Sequence, residues 1–473
     1  MGSSGLLGSE VRVVNVGLDL FADAVRAQGH AVAEVDWRPP AGGDAALVRL
    51  LVADAETRAR VDAANAETVK RMFAARPVWV DVRPARDVVP ALPERTLLHS
   101  GPARAYEAMC GPHKRAAAWA AVFEGWAPDA EAASRALAEG TIRLEPAIAH
   151  STVIPMAGVL SPSMPVHVVT DGATGTKAYS PINEGRERTL WNGNPDQSAL
   201  DRLAWFRDEL APALSAALEG AGGVDLFSLI AQSLQMGDEL HARLPATTAL
   251  LLRSILAPML EAGVPSPAVA RAARFLEGNS LFGLTVVMGA CRVTADMGHG
   301  VPWSSVVTGI SRNGLDFGIR VGGLGDRWLT SAVPPMDRAI YYTGFDVDDN
   351  AGDIGDSAIL ETVGLGGMAI AAAPTVAAFV GGTVQDEVDA TASLREIVVA
   401  SHPAFTVPQL GFAGTPAGID VRRVVETGIV PFIDTGAVHD SNPDVGQIGA
   451  GIAVAPIEVF QAALVELGKA WHS

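Results

Sequence analysis

VRVVNVGLDLFADAVRAQGHAVAEVDW, Val11 to Trp37, is the stretch that sets the fold class. A short apolar run from Val11 to Val16 ends at Gly17, and Asp19-Leu20-Phe21 opens a helical pattern that closes at Gln28-Gly29. A second strand then runs from His30 to Trp37 and stops at Arg38-Pro39-Pro40. Strand, helix and strand in this order make a βαβ unit. The expectation is therefore an α/β protein with an N-terminal Rossmann-like βαβ domain. Its single glycine, Gly17, falls short of the G-x-G-x-x-G fingerprint, so no dinucleotide site is expected there. Helices are expected from Asp44 to Ala53 and from Ala55 to Ala75, then a strand from Pro77 to Val82. Leu97 to Pro102 begins a new segment, which puts the end of the first domain near residue 100.

Composition bounds the rest. The 473 residues are 49% hydrophobic and 19% charged, the make-up of a chain with a large packed core. With 35 Lys plus Arg against 53 Asp plus Glu, the net charge is −18, which argues against nucleic acid or anionic lipid as partners. A small anionic substrate would need a local positive pocket. Cys110 and Cys291 have neither disulfide nor metal-ligand spacing. The first residues carry no basic, apolar signal pattern, and no apolar run reaches the ~18 residues of a membrane span. A soluble, cytoplasmic protein is expected.

After residue 100 the pattern divides into a mixed α/β segment (101–200), a helical middle (201–300) and a glycine-rich strand and loop segment (301–473). Together these are expected to form one composite catalytic body. Helical spacing covers Leu200–Leu218, Leu226–Ala242, Thr247–Glu261 and Phe275–Met297. His99, His113 and Lys114 read as solvated or capping residues beside turns.

Three clusters carry candidate chemistry. Met236-Gly237-Asp238-Glu239-Leu240-His241-Ala242-Arg243 places Asp238 and His241 three residues apart. On a helix they would share a face, with Asp238 orienting His241 as a general base and Arg243 gripping an anion. The competing reading is a charged helix end. Asn279, Arg292, Ser311-Arg312-Asn313-Gly314, Arg320 and Gly322-Gly323 mix guanidiniums, hydroxyls and glycines as a phosphate or carboxylate pocket does. Arg292 lies in a strongly apolar run and needs a partner there, for which Asp296 is a candidate. Ala351 to Gly382, AGDIGDSAILETVGLGGMAIAAAPTVAAFVGG, supplies Asp353, Asp356 and Glu361 among glycines. These acids either bind a divalent cation such as Mg²⁺ or orient the arginines. The plainer alternative is a pair of tight turns.

HSGP with YEAM (His99–Met109), SMPVHVV (Ser163–Val169), MGDELHAR (Met236–Arg243), SRNGLDFGIR (Ser311–Arg320), DIGDSAILETVGLGG (Asp353–Gly367), FVGG (Phe379–Gly382) and GIVPFIDTG (Gly428–Gly436) occur in this order along the chain. They resemble the AllG/YahG-like family, whose members include the large subunit of bacterial oxamate carbamoyltransferase. The resemblance spans essentially the whole chain. It implies phosphorolysis of oxalurate to oxamate and carbamoyl phosphate, alongside partner subunits, one of them similar to the succinyl-CoA ligase α chain. A homo-oligomer is also expected. Where this sequence reads HARLPATT the family more often reads HNRNxAxT, so Leu244 replaces a polar amide. Arg292 stands where lysine is common, and Asp434 where asparagine is. These departures leave room for a related carbamoyl or acyl transfer.

Such a transfer needs an anion held by cations and N–H groups and a proton delivered to the leaving amide. The sequence assigns the anion to Arg312, Asn313, Arg320 and the Gly322–Gly325 turn, and the proton to His241 with Asp238. Glu239 joins them as a third candidate catalytic residue. Two other classes stay open. One is an amidohydrolase or acyl-CoA-type ligase acting on a small carboxylate, and the other is a non-catalytic subunit of a larger enzyme.

Overall fold

The computed structural model describes residues 13–16, 19–35, 39–377 and 382–471. Val11, Arg12, Gly17, Trp37, Arg38 and Phe379 to Gly381, all parts of the sequence patterns above, lie outside the described residues.

Val13–Val16 and Val32–Val35 pair in parallel, Val13 opposite Val32, with the Asp19–Arg26 helix between them. Among the described residues this pair acquires no third parallel strand. The next strand, Pro77–Pro84, joins another sheet, antiparallel to both Pro165–Asp171 and Val224–Asp225. It is covered by the Ala211–Ala221 helix and by the Phe282–Gly298 helix. Thr96–His99 pairs in a third sheet, parallel to Arg143–Pro146. The protein is thus mixed α/β, built of several small sheets.

Ala55–Ala74 is helical because Asp54 accepts from the N–H groups of Glu56 and Thr57 at its start, each at 3.0 Å. Thr57, Val61, Ala64, Thr68 and Met72 fall three or four residues apart and are buried together. This stripe packs on the Phe282–Gly298 helix, where Gly298 lets the Met72 side chain approach.

The helical middle comprises Gln197–Trp205 continuing through one π turn into Ala211–Ala221, then Leu226–Gln235, Pro245–Glu261, Ser266–Gly278 and Phe282–Gly298. Two sequence expectations are corrected here. The Leu226 helix stops at Gln235 rather than Ala242, because Gly237 takes φ +96° and turns the chain away. The run from Phe275 to Met297 is two helices meeting at 82°, broken around Asn279. The second is buried nearly all round, as an apolar helix inside a core must be.

The C-terminal third is antiparallel. Val307–Asn313, Asp316–Val321, Trp328–Ala332 and Ile354–Gly355 form one sheet; Ala339–Tyr341, Gln447–Val454 and Phe432–Val438 form another. The hairpin of Val398–Val407 and Ala413–Ile419 packs beside the Ala55–Ala74 helix. Among the described residues no single helix is long and apolar enough to cross a membrane.

Candidate active site

The loop from Met236 to Leu244 is organised by its own acids. Glu239 turns its carboxylate back to accept from the N–H groups of His241 (2.7 Å), Ala242 (2.8 Å) and Arg243 (2.5 Å). Leu240, immediately before His241, takes φ +79°, a conformation a branched side chain adopts only when its surroundings compel it. Asp238 does not meet His241. Its carboxylate accepts from the N–H (2.7 Å) and hydroxyl (2.9 Å) of Thr247, in the first turn of the next helix. The shared helical face expected for Asp238 and His241 is absent because the helix has already ended.

The partner of His241 is Glu361. Nδ1 lies 2.7 Å from Oε1, and both side chains are almost wholly buried. Glu361 is fixed in turn by the N–H of Gly367 at 3.0 Å. Gly366 makes this pairing sterically feasible: at φ +58°, a Cβ there would sit 2.2 Å from Glu361 Oε1 and 3.0 Å from His241 Cβ. With Nδ1 donating to the carboxylate, Nε2 is the acceptor nitrogen; this tautomer follows from the partner.

His241 lines a cavity of about 360 Å³. The buried part of its lining carries His241, Ser357, Asp434 and Thr435, and the more exposed part carries Arg186 and Arg243. Behind Asp434 and His241 stands a group of buried acids. Burial, with Glu239, Glu361 and Glu387 as negative neighbours, pushes the Asp434 carboxyl well above the usual range. Burial raises Glu239 to about 7 against the opposing pull of His241, and burial with Glu239 nearby raises Glu387 to about 7. Oxygen atoms of Asp434, Glu361 and Glu387 and the Thr435 hydroxyl are buried without a protein partner among the described residues. Such acceptors call for protons or donors from a ligand. Among the described residues no group of three His, Cys, Asp or Glu side chains could hold a metal ion.

The other sequence candidates lie elsewhere. Arg312 is fully buried and forks onto Asp353 at 2.7 and 2.8 Å, with its remaining end on the Gly355 carbonyl. Asp356 accepts from the Ser311 hydroxyl and from the N–H groups of Gly101 and Ile154. Asn313 closes its own turn through the N–H groups of Leu315 and Asp316 and also reaches Pro102. The N–H groups of Gly322 and Gly323 are engaged by the carbonyls of Val306 and Ser304. These groups satisfy one another, so they do not form the expected anion cradle. Of the two roles expected for the acids, Asp353 takes the second by orienting Arg312, while Asp356 holds Ser311, Gly101 and Ile154 and Glu361 holds His241. Asn279 donates to the Asn183 carbonyl beside Ser280 and Leu281, which line the His241 cavity. Arg292 and Arg320 share Asp296 and line a different cavity. His99 and His113 are buried, not solvated, and burial lowers them to about 4 and about 3. Burial pushes the Cys110 thiol up to about 11 and Cys291 well above its ordinary value.

Sequence reasoning missed Glu387, Arg186, Ser357 and Thr435, and noticed Asp434 only as a departure. Glu387 had no legible signal, since VQDEVD reads as a solvated helix face.

The fold and this cavity define a mixed α/β protein with a buried His–Glu pair whose histidine faces a small cavity of mixed apolar and polar lining. The chain is 38% identical over 469 residues to "Uncharacterized protein YahG" of Escherichia coli (strain K12), covering 98% of each. It is 40% identical over 409 residues to "Oxamate carbamoyltransferase subunit AllG" of the same organism, covering 86% of this chain and 97% of the relative. The family model described as "Oxamate carbamoyltransferase subunit AllG" matches residues 142–357. A crystal structure of a conserved protein of unknown function from Enterococcus faecalis V583 superposes with a TM-score of 0.84 at 39% identity, over 87% of this chain and 98% of that one. The chain belongs to the AllG/YahG-like family.

Proposed function

We propose that the chain is a subunit of a carbamoyltransferase of the oxamate carbamoyltransferase type, converting an oxalurate-like ureido acid and phosphate to oxamate and carbamoyl phosphate. The observation that carries this reading is the make-up of one cavity lining, which holds both buried acceptors and two arginines. Buried acceptors, Asp434 and Thr435 beside His241, meet one part of a ligand, and Arg186 with Arg243 meet another. A ureido acid has matching chemistry: N–H donors at its carbamoyl end and a carboxylate at the other. The volume lies at the small end of ligand sites, as small reactants require.

In this reading a phosphate oxygen attacks the carbamoyl carbon, forming the C–O bond of carbamoyl phosphate while the C–N bond to the oxamate nitrogen breaks. His241 Nε2 takes the proton of the attacking phosphate and returns it to the departing nitrogen, so no net proton is exchanged. Glu361 holds the ring in the required tautomer and stabilises the imidazolium formed between the two transfers. Arg243 and Arg186 hold the anionic groups. Partner subunits, including one similar to the succinyl-CoA ligase α chain, belong to this proposal, as do a homo-oligomeric state and a cytoplasmic setting.

The test combines purified protein with oxalurate, phosphate and Mg²⁺, with and without its partner subunits, and measures carbamoyl phosphate. Formation by wild type and a loss of roughly two to four decades in His241→Ala is expected for a general acid–base residue. Hydrolysis without phosphate, or a product that requires CoA, would replace this reading with the amidohydrolase or ligase class. Activity of the partners without this chain would leave it a non-catalytic role.

A further inference from the structure

The Phe282–Gly298 helix touches two cavities. Leu281 and Leu284, at its start, line the His241 cavity. Arg292 lines another, of about 590 Å³, together with Arg320, Ser151, Trp328 and Thr330. Eight residues separate Leu284 from Arg292, roughly 12 Å along a helix, so one small ligand cannot span both.

Two arginines in a core need more than one carboxylate. Arg292 Nε donates to Asp296 Oδ2 at 2.7 Å, and Arg320 donates to the other oxygen of the same carboxylate. Two backbone carbonyls, of Ile148 and Thr308, accept one further bond each. The guanidiniums offer about ten N–H donors between them, and these contacts engage four. Arg320 Nε is buried with no partner among the described residues. Burial opposes the charge on Asp296, but the two guanidiniums outweigh it and hold its carboxyl below the usual range. Burial and the nearby Arg292 lower Arg320. The remaining charged group on the lining is Asp326, whose carboxylate is 96% exposed and lies 3.3 Å from His299, so solvent screens it. A half-neutralised arginine pair therefore faces an open space large enough for an anion.

We propose that the Arg292–Arg320 cavity is a second anion-binding site, separate from the His241 cavity, which takes a small oxyanion of the chemistry shared by inorganic phosphate and small carboxylates. Guanidinium forks suit both. The site does not depend on the carbamoyl-transfer reading.

Calorimetric titration with inorganic phosphate and, separately, with oxamate tests it. The background is Arg186→Glu with Arg243→Glu, exposed and half-exposed substitutions that remove the cations of the first cavity. One site is expected to remain for at least one of the two anions, and the tighter of them identifies the source. Arg292→Gln should weaken that site roughly tenfold or more. Because Arg292 is buried and its loss can disturb the fold, Thr330→Glu provides a second variant: it is exposed, adds a negative charge to the lining, and should weaken binding with the melting temperature unchanged. The proposal is overturned if the background variant binds neither anion at millimolar concentration, or if Thr330→Glu binds as tightly as its parent.

Discussion

Glu387 provides a measurable handle on the acid group behind His241. It lies in the first turn of the Val384–Ser393 helix, 4% exposed, with neither carboxylate oxygen partnered among the described residues. Burial and then Glu239 raise it from 4.5 to about 7. The folded state holds this proton more tightly than the unfolded chain does. Its stabilising contribution is therefore fully present below the unfolded value of 4.5 and is lost as pH rises through about 7. A gap of about 2.5 pH units corresponds to about 3 kcal/mol, of which all but roughly 1 kcal/mol develops between pH 5 and pH 8. Glu387→Gln keeps the shape and removes the titration. Urea denaturation of the ligand-free protein from pH 5 to pH 8 should show wild type losing stability as pH rises, with the variant declining less. The two should be nearly equal at pH 5 and the variant more stable at pH 8. Removing one charge also relieves Glu239 and Asp434, which adds to the difference with the same sign. Parallel stability curves for the two proteins would refute the reasoning.

Gly366→Ala should cost about 1–2 kcal/mol from left-handed backbone strain alone. Its methyl also displaces Glu361 from His241, so kcat should fall further than the melting temperature implies. Arg312→Ala should destabilise by about 3–5 kcal/mol, because it leaves the buried Asp353 carboxylate alone; an unchanged melting temperature with loss of substrate binding would return Arg312 to the active site. Asp434→Asn should leave activity near neutral pH little changed and lessen the loss of activity at higher pH relative to wild type, as a pH–rate profile would show.

Local patterns were legible and long-range pairings were not. The Ala55–Ala74 helix and the Pro77–Pro84 strand fall where periodicity puts them, since each is marked by its own cap and alternation. His241 was legible as a candidate, but its partner was not. Spacing of three residues implies contact only if the helix continues, and Gly237 was itself the signal that it ends. Glu361, 120 residues away, reaches His241 beside the Gly366–Gly367 turn; the glycines announce a turn, but nothing local tells which residue it faces. Arg312 and its glycines had the composition of an anion pocket. Strand pairing sets Arg312 opposite Gly355 and brings Asp353 onto its fork, so the same residues neutralise each other. Composition shows which groups are present; only topology decides whether they face a ligand or one another.

Asp434 lines the same cavity as His241. The resemblance implies an asparagine at this position, and an ionised aspartate would offer acceptors only, where an amide offers both donor and acceptor. Here burial and three neighbouring carboxylates raise the Asp434 carboxyl well above its usual range. In its protonated form it again has one donor and one acceptor in nearly the shape of an amide. The acids around it thus do more than surround the cavity, because they favour the protonated form that Asp434 presents to it. Glu239 holds the His241 loop through three N–H groups and also repels charge on Asp434, so loop geometry and the protonation of the cavity wall are coupled through one side chain. A substitution at Glu239 must then disturb both at once, whereas one at Glu387 changes the charge and leaves the loop intact.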